Sequence, residues 1–142
     1  MILIWYHLSM KLLTRDTDYA ARALLFFAQQ ERKIIPVSVL VKELKTPRPF
    51  LRKILQQLSK AKILKSFKGN HGGFVLVKQP EKIFLVDLIR IFQGPIEINE
   101  CIFKKKICPN RNFCILRNRI SRIEEHVINE LREITVGSLL RG

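Results

Sequence analysis

The stretch "KTPRPFLRKILQQLSKAKIL", residues 45–64, runs directly into "KSFKGNHGGFVLVKQP", residues 65–80, and few folds accept that succession. Projected at about 100° per residue, the first stretch sorts into two arcs. Phe50, Leu51, Ile54, Leu55 and Leu58 share one; Arg48, Arg52, Lys53, Gln56, Gln57 and Lys60 share the other. Such a helix packs by one face and shows cations and amides on the opposite one. Thr46 is placed to cap it, Pro47 suits its first position, and Pro49 falls within the first turn, where a missing amide hydrogen costs nothing. The second stretch alternates like two short strands around a turn. Gly69, Gly72 and Gly73 offer positive φ or close approach of the backbone to another surface. Upstream, "DYAARALLFFAQQE" from Asp18 has no Gly or Pro and follows "TRDT", whose side chains can accept from free first-turn amides. After a turn at Pro36, "VSVLVKEL" reads as a second short helix. Helix, short turn, helix, hairpin is the order of a winged helix-turn-helix. There the second helix of the pair enters the major groove and the hairpin rests on phosphates or reaches the minor groove.

Charge points the same way. The chain carries 26 Lys and Arg against 12 Asp and Glu, a formal +14. From Lys42 to Lys68, nine basic residues face Glu43 alone. The excess peaks where this fold meets double-stranded DNA, the partner the sequence favours. Arg48, Arg52, Lys53, Gln56 and Lys60 on the helix, with Lys68, Asn70 and His71 in the wing, are the candidate DNA-binding residues. Arg52 and Gln56 are suited to base edges, and the others to phosphate.

With 142 residues, 47% of them hydrophobic, the chain can bury a real core. The apolar opening "MILIWYHLS" is too short for the roughly 20 residues a spanning helix needs, and it lacks the features of a secretory signal. No membrane association is expected and the expected location is cytoplasmic. No nucleophile–base pair, paired carboxylates or phosphate loop suggests catalysis, so an enzyme is not expected.

Beyond the wing, "KIFLVDLIRIFQGP" reads as an amphipathic helix ended by Gly94 and Pro95. Further on, Leu116, Ile120, Ile123, Val127, Leu131 and Ile134 form the seam of a long helix that packs on another helix. Homodimerisation along this seam suits a two-fold operator, and the alternative is that it folds back on its own domain. Between the two helices stand all three cysteines of the chain, Cys101, Cys108 and Cys114, in a C-x6-C-x5-C spacing. Closely paired zinc knuckles are missing. Three spaced thiolates can wrap an iron–sulfur cluster, and Lys104, Lys105, Lys106 and Arg111 would offset its negative charge. Spacing alone leaves cluster, zinc and free thiols open.

From Met10 nearly to its end the chain resembles the BadM-type (IscR/NsrR-like) winged-helix iron–sulfur regulators. The residues that carry the resemblance are "MKLLTRDTDYAARALLFFA", the recognition-helix and wing segment "PFLRKILQQLSKAKILKSFKGNHGGFVL", and the closing "EITVGSLL". Together with the three cysteines they imply a mostly α protein with a small β-hairpin. Residues 1–9 would be an N-terminal extension, 10–95 the DNA-binding domain, 96–115 the cluster-binding segment, and 116–142 the long dimerisation helix and C-terminal segment. The resemblance further implies a homodimeric transcriptional regulator, expected to be a repressor. Its two-iron or four-iron cluster would be held by the three cysteines and would report redox state, nitric oxide or iron–sulfur status. Two departures matter. The cluster-assembly branch has a His three residues after the last Cys, where this chain has Arg117. It also has a Glu at the place of Arg52. The nitric-oxide branch points instead to the Asp of a T-D-Y triplet, here Thr17, Asp18 and Tyr19, making Asp18 the expected fourth ligand ahead of His7, Glu124 and His126. The rival expectation is a winged-helix module bound to RNA or the ribosome, holding zinc or no metal.

Overall fold

The computed structural model describes residues 11–98 and 114–142. The expectations for the 1–9 extension, for Met10 and for Cys101, Cys108 and the basic residues between 104 and 111 lie outside the described residues.

Helix α1 spans Arg15–Ala28. It starts three residues before the apolar run suggested because Thr14, in extended conformation, accepts from the Thr17 amide and serves as N-cap. Ala20, Ala23, Leu24 and Phe27 fall on one face and are buried. The chain then turns through Glu31 and Arg32, both at positive φ, and Ile35 pairs with the wing. α2 spans Val37–Leu44 and closes with Lys45 in the left-handed region.

α3 spans Arg48–Lys60 with Pro47 as its N-cap and Pro49 in its first turn. The expected cap, Thr46, is corrected: its hydroxyl donates to the Leu44 carbonyl at 2.8 Å and is buried, so it closes α2 rather than opening α3. Leu51, Ile54, Leu55 and Leu58 are completely buried, as the apolar arc requires; each is worth roughly 1.5–3 kcal/mol against the exposed state. Gln57 departs from the polar arc. It lies two turns from Phe50, on the shoulder of the packed face, and its Oε1 is buried without a hydrogen-bond partner among the described residues.

Strands β1 (Leu64–Phe67) and β2 (Gly73–Leu76) pair antiparallel, Leu64 opposite Leu76 and Phe67 opposite Gly73. Only Gly69 of the three wing glycines has positive φ. Gly72 and Gly73 are needed for close approach, but to the protein's own backbone rather than to an outside surface. A Cβ on Gly72 would lie 2.3 Å from the Phe67 carbonyl oxygen, and one on Gly73 would lie 2.3 Å from that of Ile35. The Ile35–Phe74 bridge, with N–O distances of 2.8 and 3.0 Å, thereby pins the wing to the α1–α2 connection.

α4 spans Leu85–Gln93 and ends at Gly94, φ +83°. It begins later than its hydrophobic pattern predicts. Pro80–Lys82 form a 3-10 turn, and Phe84 is held extended by an antiparallel bridge to Thr135. α5 spans Ile115–Glu133, and α6, Val136–Leu140, opens with a capping box between Thr135 and Ser138. The long seam divides. Val127, Leu131 and Ile134 pack on Val86 and Ile89 of α4 within the chain, whereas Ile115, Leu116 and Ile123 are 77%, 67% and 52% exposed. Folding back thus accounts for the C-terminal half of the seam only. Among the described residues no helix is long and apolar enough to cross a membrane.

Candidate nucleic-acid interface

α3 and the wing enclose a cleft of about 770 Å³. Arg48, Arg52, Gln56 and Lys60 recur every four residues, a spacing that stacks them along one side of a helix, and all four line this cleft. Lys68 and Asn70 face them from the wing. The lining holds four cations and no carboxylate. Anchored on four fully buried apolar residues of α3 and on the Ile35–Phe74 bridge, the cations are fixed on a rigid frame while their heads stay in solvent. Lys53 and His71 are exposed but do not line the cleft.

Ser38, Ser59 and Ser66 also line the cleft, although nothing in the sequence pattern singles them out. Ser59 was in principle visible, eleven residues after Arg48 and in phase with it. Ser38 was not, because the Ile35–Phe74 bridge brings the start of α2 against the wing only in three dimensions. α2 has no side-chain cap; its Val39 amide donates to the Pro36 carbonyl at 3.1 Å, which leaves those of Val37 and Ser38 at the cleft wall for an anionic oxygen.

The cysteine segment is bracketed by described residues at both ends. Cys114 is the N-cap of α5, is partly exposed, and its Sγ accepts from the Arg117 amide at 3.5 Å. Arg117 thus serves the sulfur through its backbone. At the other end the Ile98 amide donates to Glu124 of α5 at 3.1 Å, which engages that candidate ligand in a structural bond. His126 is exposed on α5. Asp18 sits in the first turn of α1 and receives the Arg22 guanidinium at 2.9 Å; this hydrogen bond, with the carboxylate charge, raises the arginine above its ordinary value. Both side chains are largely exposed, so the pair contributes little to stability.

Gln93, the last residue of α4, is a further residue the sequence pattern did not reveal. Its Oε1 accepts from the Thr17 hydroxyl at 2.7 Å and the Thr14 amide at 2.9 Å, and its Nε2 donates to the Leu12 carbonyl at 3.2 Å. Thr17 is fully buried. One side chain therefore ties the end of α4, where the cysteine segment departs, to the start of α1, where Asp18 sits.

The profile of the Rrf2 family, described as an iron-dependent transcriptional regulator, matches residues 13–142. The chain belongs to the Rrf2 family. A protein of Aquifex aeolicus described as a helix-turn-helix transcriptional regulator is 31% identical over 124 residues, 86% of each chain. The regulator NsrR of Shouchella clausii is 27% identical over 130 residues, covering 90% of this chain and 87% of its own. Among solved structures, CymR, the global cysteine regulator of B. subtilis, superposes with a TM-score of 0.75 at 22% identity, over 93% of this chain and 98% of its own. Rrf2 proteins are DNA-binding transcriptional regulators rather than enzymes, in agreement with the absence of catalytic motifs. The Rrf2 winged helix also accounts for the helix–helix–hairpin order read from the sequence.

Proposed function

We propose that this Rrf2 regulator acts as a homodimeric repressor. Its duplex-binding face is the α3–wing cleft, and its DNA affinity is set by an iron–sulfur cluster held by Cys101, Cys108 and Cys114, with Asp18 as fourth ligand. The observation that carries the DNA half is the convergence of Arg48, Arg52, Gln56 and Lys60 with Lys68 and Asn70 on one acid-free cleft. Arg52 and Gln56, central in the row, read base edges. Arg48, Lys60 and Lys68 neutralise phosphates. Lys53, Asn70 and His71 extend the contact along the backbone. The exposed Ile115, Leu116 and Ile123 face of α5 supports a second copy as its cover.

For the cofactor, the two described donors, Cys114 and Asp18, have the chemistry the reading requires. Cys114 is a free thiol, partly exposed, receiving an amide proton at its sulfur, the kind of interaction that tunes cluster sulfurs. Asp18 keeps a half-exposed carboxylate, and a hard oxygen ligand is more readily displaced from iron than a thiolate. When bound, the cluster supplies redox- and nitric-oxide-reactive iron.

The chain's own part is to carry the state of the cysteine segment to α3. Cys114 starts α5 and Glu124 holds Ile98. α5 packs on α4. Gln93 joins α4 to α1, and α1 packs on α3. A change at the segment ends therefore has a continuous packed route to the recognition helices and their spacing in a dimer.

Protein purified without oxygen is expected to be brown and to contain iron and acid-labile sulfide. A colourless protein with stoichiometric zinc would favour the structural-metal alternative. Asp18→Ala is expected to leave apo DNA affinity unchanged while the cluster decays several-fold faster on exposure to air. Unchanged cluster retention would remove Asp18 from the ligand set.

A further inference from the structure

We infer that Arg15, outside the α3–wing cleft, is a preorganised phosphate clamp that extends the duplex contact across the N-terminal end of α3. The Arg15 guanidinium carbon lies 4.3 Å from the centroid of the Phe50 ring and 6.0 Å from that of Tyr19. The two rings meet edge to face, 5.6 Å apart at 90°, and so brace each other. A guanidinium stacked on a ring gains modest cation–π energy, but the larger consequence is geometric. One side of the exposed guanidinium is held against the Phe50 ring, and its N–H groups are the fork that binds phosphate through two hydrogen bonds.

Helix stability does not explain a cation here. Arg15 is the first residue of α1, at the positive end of that helix dipole, where Asp or Glu is favoured and Arg is not. Nor does an ion pair: among the described residues Asp18 is taken by Arg22, and no carboxylate pairs with Arg15. Placement supplies the reason. Phe50 is the third residue of α3, and Arg48, two residues earlier, lines the cleft. The N-terminal end of the second helix is the part of a helix-turn-helix that approaches base edges, so a cation clamped over that end stands where the flanking phosphates pass. Holding the guanidinium in place before binding reduces the side-chain ordering that association would otherwise require.

This rests on the duplex reading of the α3–wing face. The test uses the full chain and two fluorescein-labelled 30-base-pair duplexes, one enriched by the protein from a random pool and one a shuffled version, titrated at several salt concentrations. Arg15→Gln is expected to weaken binding to both duplexes by the same factor, about ten-fold, and to lower the slope of log affinity against log salt by about one. Phe50→Leu, which keeps the charge, is expected to lower affinity with the slope unchanged. Thermal melting of each variant verifies that it remains folded. An unchanged slope for Arg15→Gln, while Lys60→Gln lowers it, overturns the clamp and leaves the duplex face standing. A loss confined to the enriched duplex also overturns it, because Arg15 would then read bases. If the unaltered chain shows no salt-dependent duplex binding, the clamp and the duplex face fall together.

Discussion

Replacing Gly73 with alanine is expected to lower the stability of the folded chain by about 3 kcal/mol and to weaken duplex binding with it. The added methyl would lie 2.3 Å from the Ile35 carbonyl oxygen and 2.6 Å from its carbon. Both obstructing atoms are backbone, so no rotamer change relieves the clash. The relief open to the chain is to part Ile35 from Phe74, giving up the bridge bonds of 2.8 and 3.0 Å and releasing the wing from the α1–α2 connection. Phe74 is a core residue, so the loss reaches beyond the hairpin. Gly69 provides the control. It has φ +104°, and a methyl group added there would have nothing within 4 Å, so alanine at this position meets only backbone strain, about 1 kcal/mol. Urea denaturation of the two variants checks the order, and equal midpoints for Gly73→Ala and the unaltered chain would contradict this account of the wing.

The second large effect is expected from the double substitution Arg52→Ala with Gln56→Ala. Each side chain, reading a base edge, supplies about 1–3 kcal/mol of discrimination, so operator affinity should fall by at least about 30-fold. Shuffled DNA should lose much less, and the ratio between the two should collapse. Both residues are exposed, so the melting temperature should hardly move. Substituting Lys60 should act differently, weakening operator and shuffled DNA alike and reducing the salt slope by about one. A double variant that still discriminates its operator would place sequence reading elsewhere on the cleft, with Asn70 or Ser38 as the next residues to replace.

Much of this surface was legible in the sequence. The 3.6-residue period of α3 announced both its buried row and the cations opposite, since burial and solvation both follow local phase. The hairpin was visible in its alternation and glycines. What remained hidden shares one physical character: it depends on pairs that local pattern does not encode, most of them distant in the chain. Thr46 looked like a cap for α3, but its hydroxyl turns back to the Leu44 carbonyl. Gln93 carries no periodic signal that would reveal three bonds to the start of α1. The start of α4 is displaced because Phe84 is held extended by Thr135, a residue far along the chain. For the same reason the α5 seam could be read as a face but not apportioned between α4 and a second copy. The cofactor reading has a different basis. Thiol spacing alone left cluster, zinc and free thiols open, and the family resemblance, not periodicity, selected among them.

The most direct test of the coupling between the cysteine segment and DNA is one affinity comparison. Oxygen-free protein is titrated with its selected operator before and after the cluster is removed, alongside a variant with Cys101, Cys108 and Cys114 all changed to serine. Coupling through the cluster predicts that its removal changes operator affinity about ten-fold or more, and that the serine variant matches the cluster-free form in every titration. Identical affinities for the loaded protein, the cluster-free protein and the serine variant would contradict it.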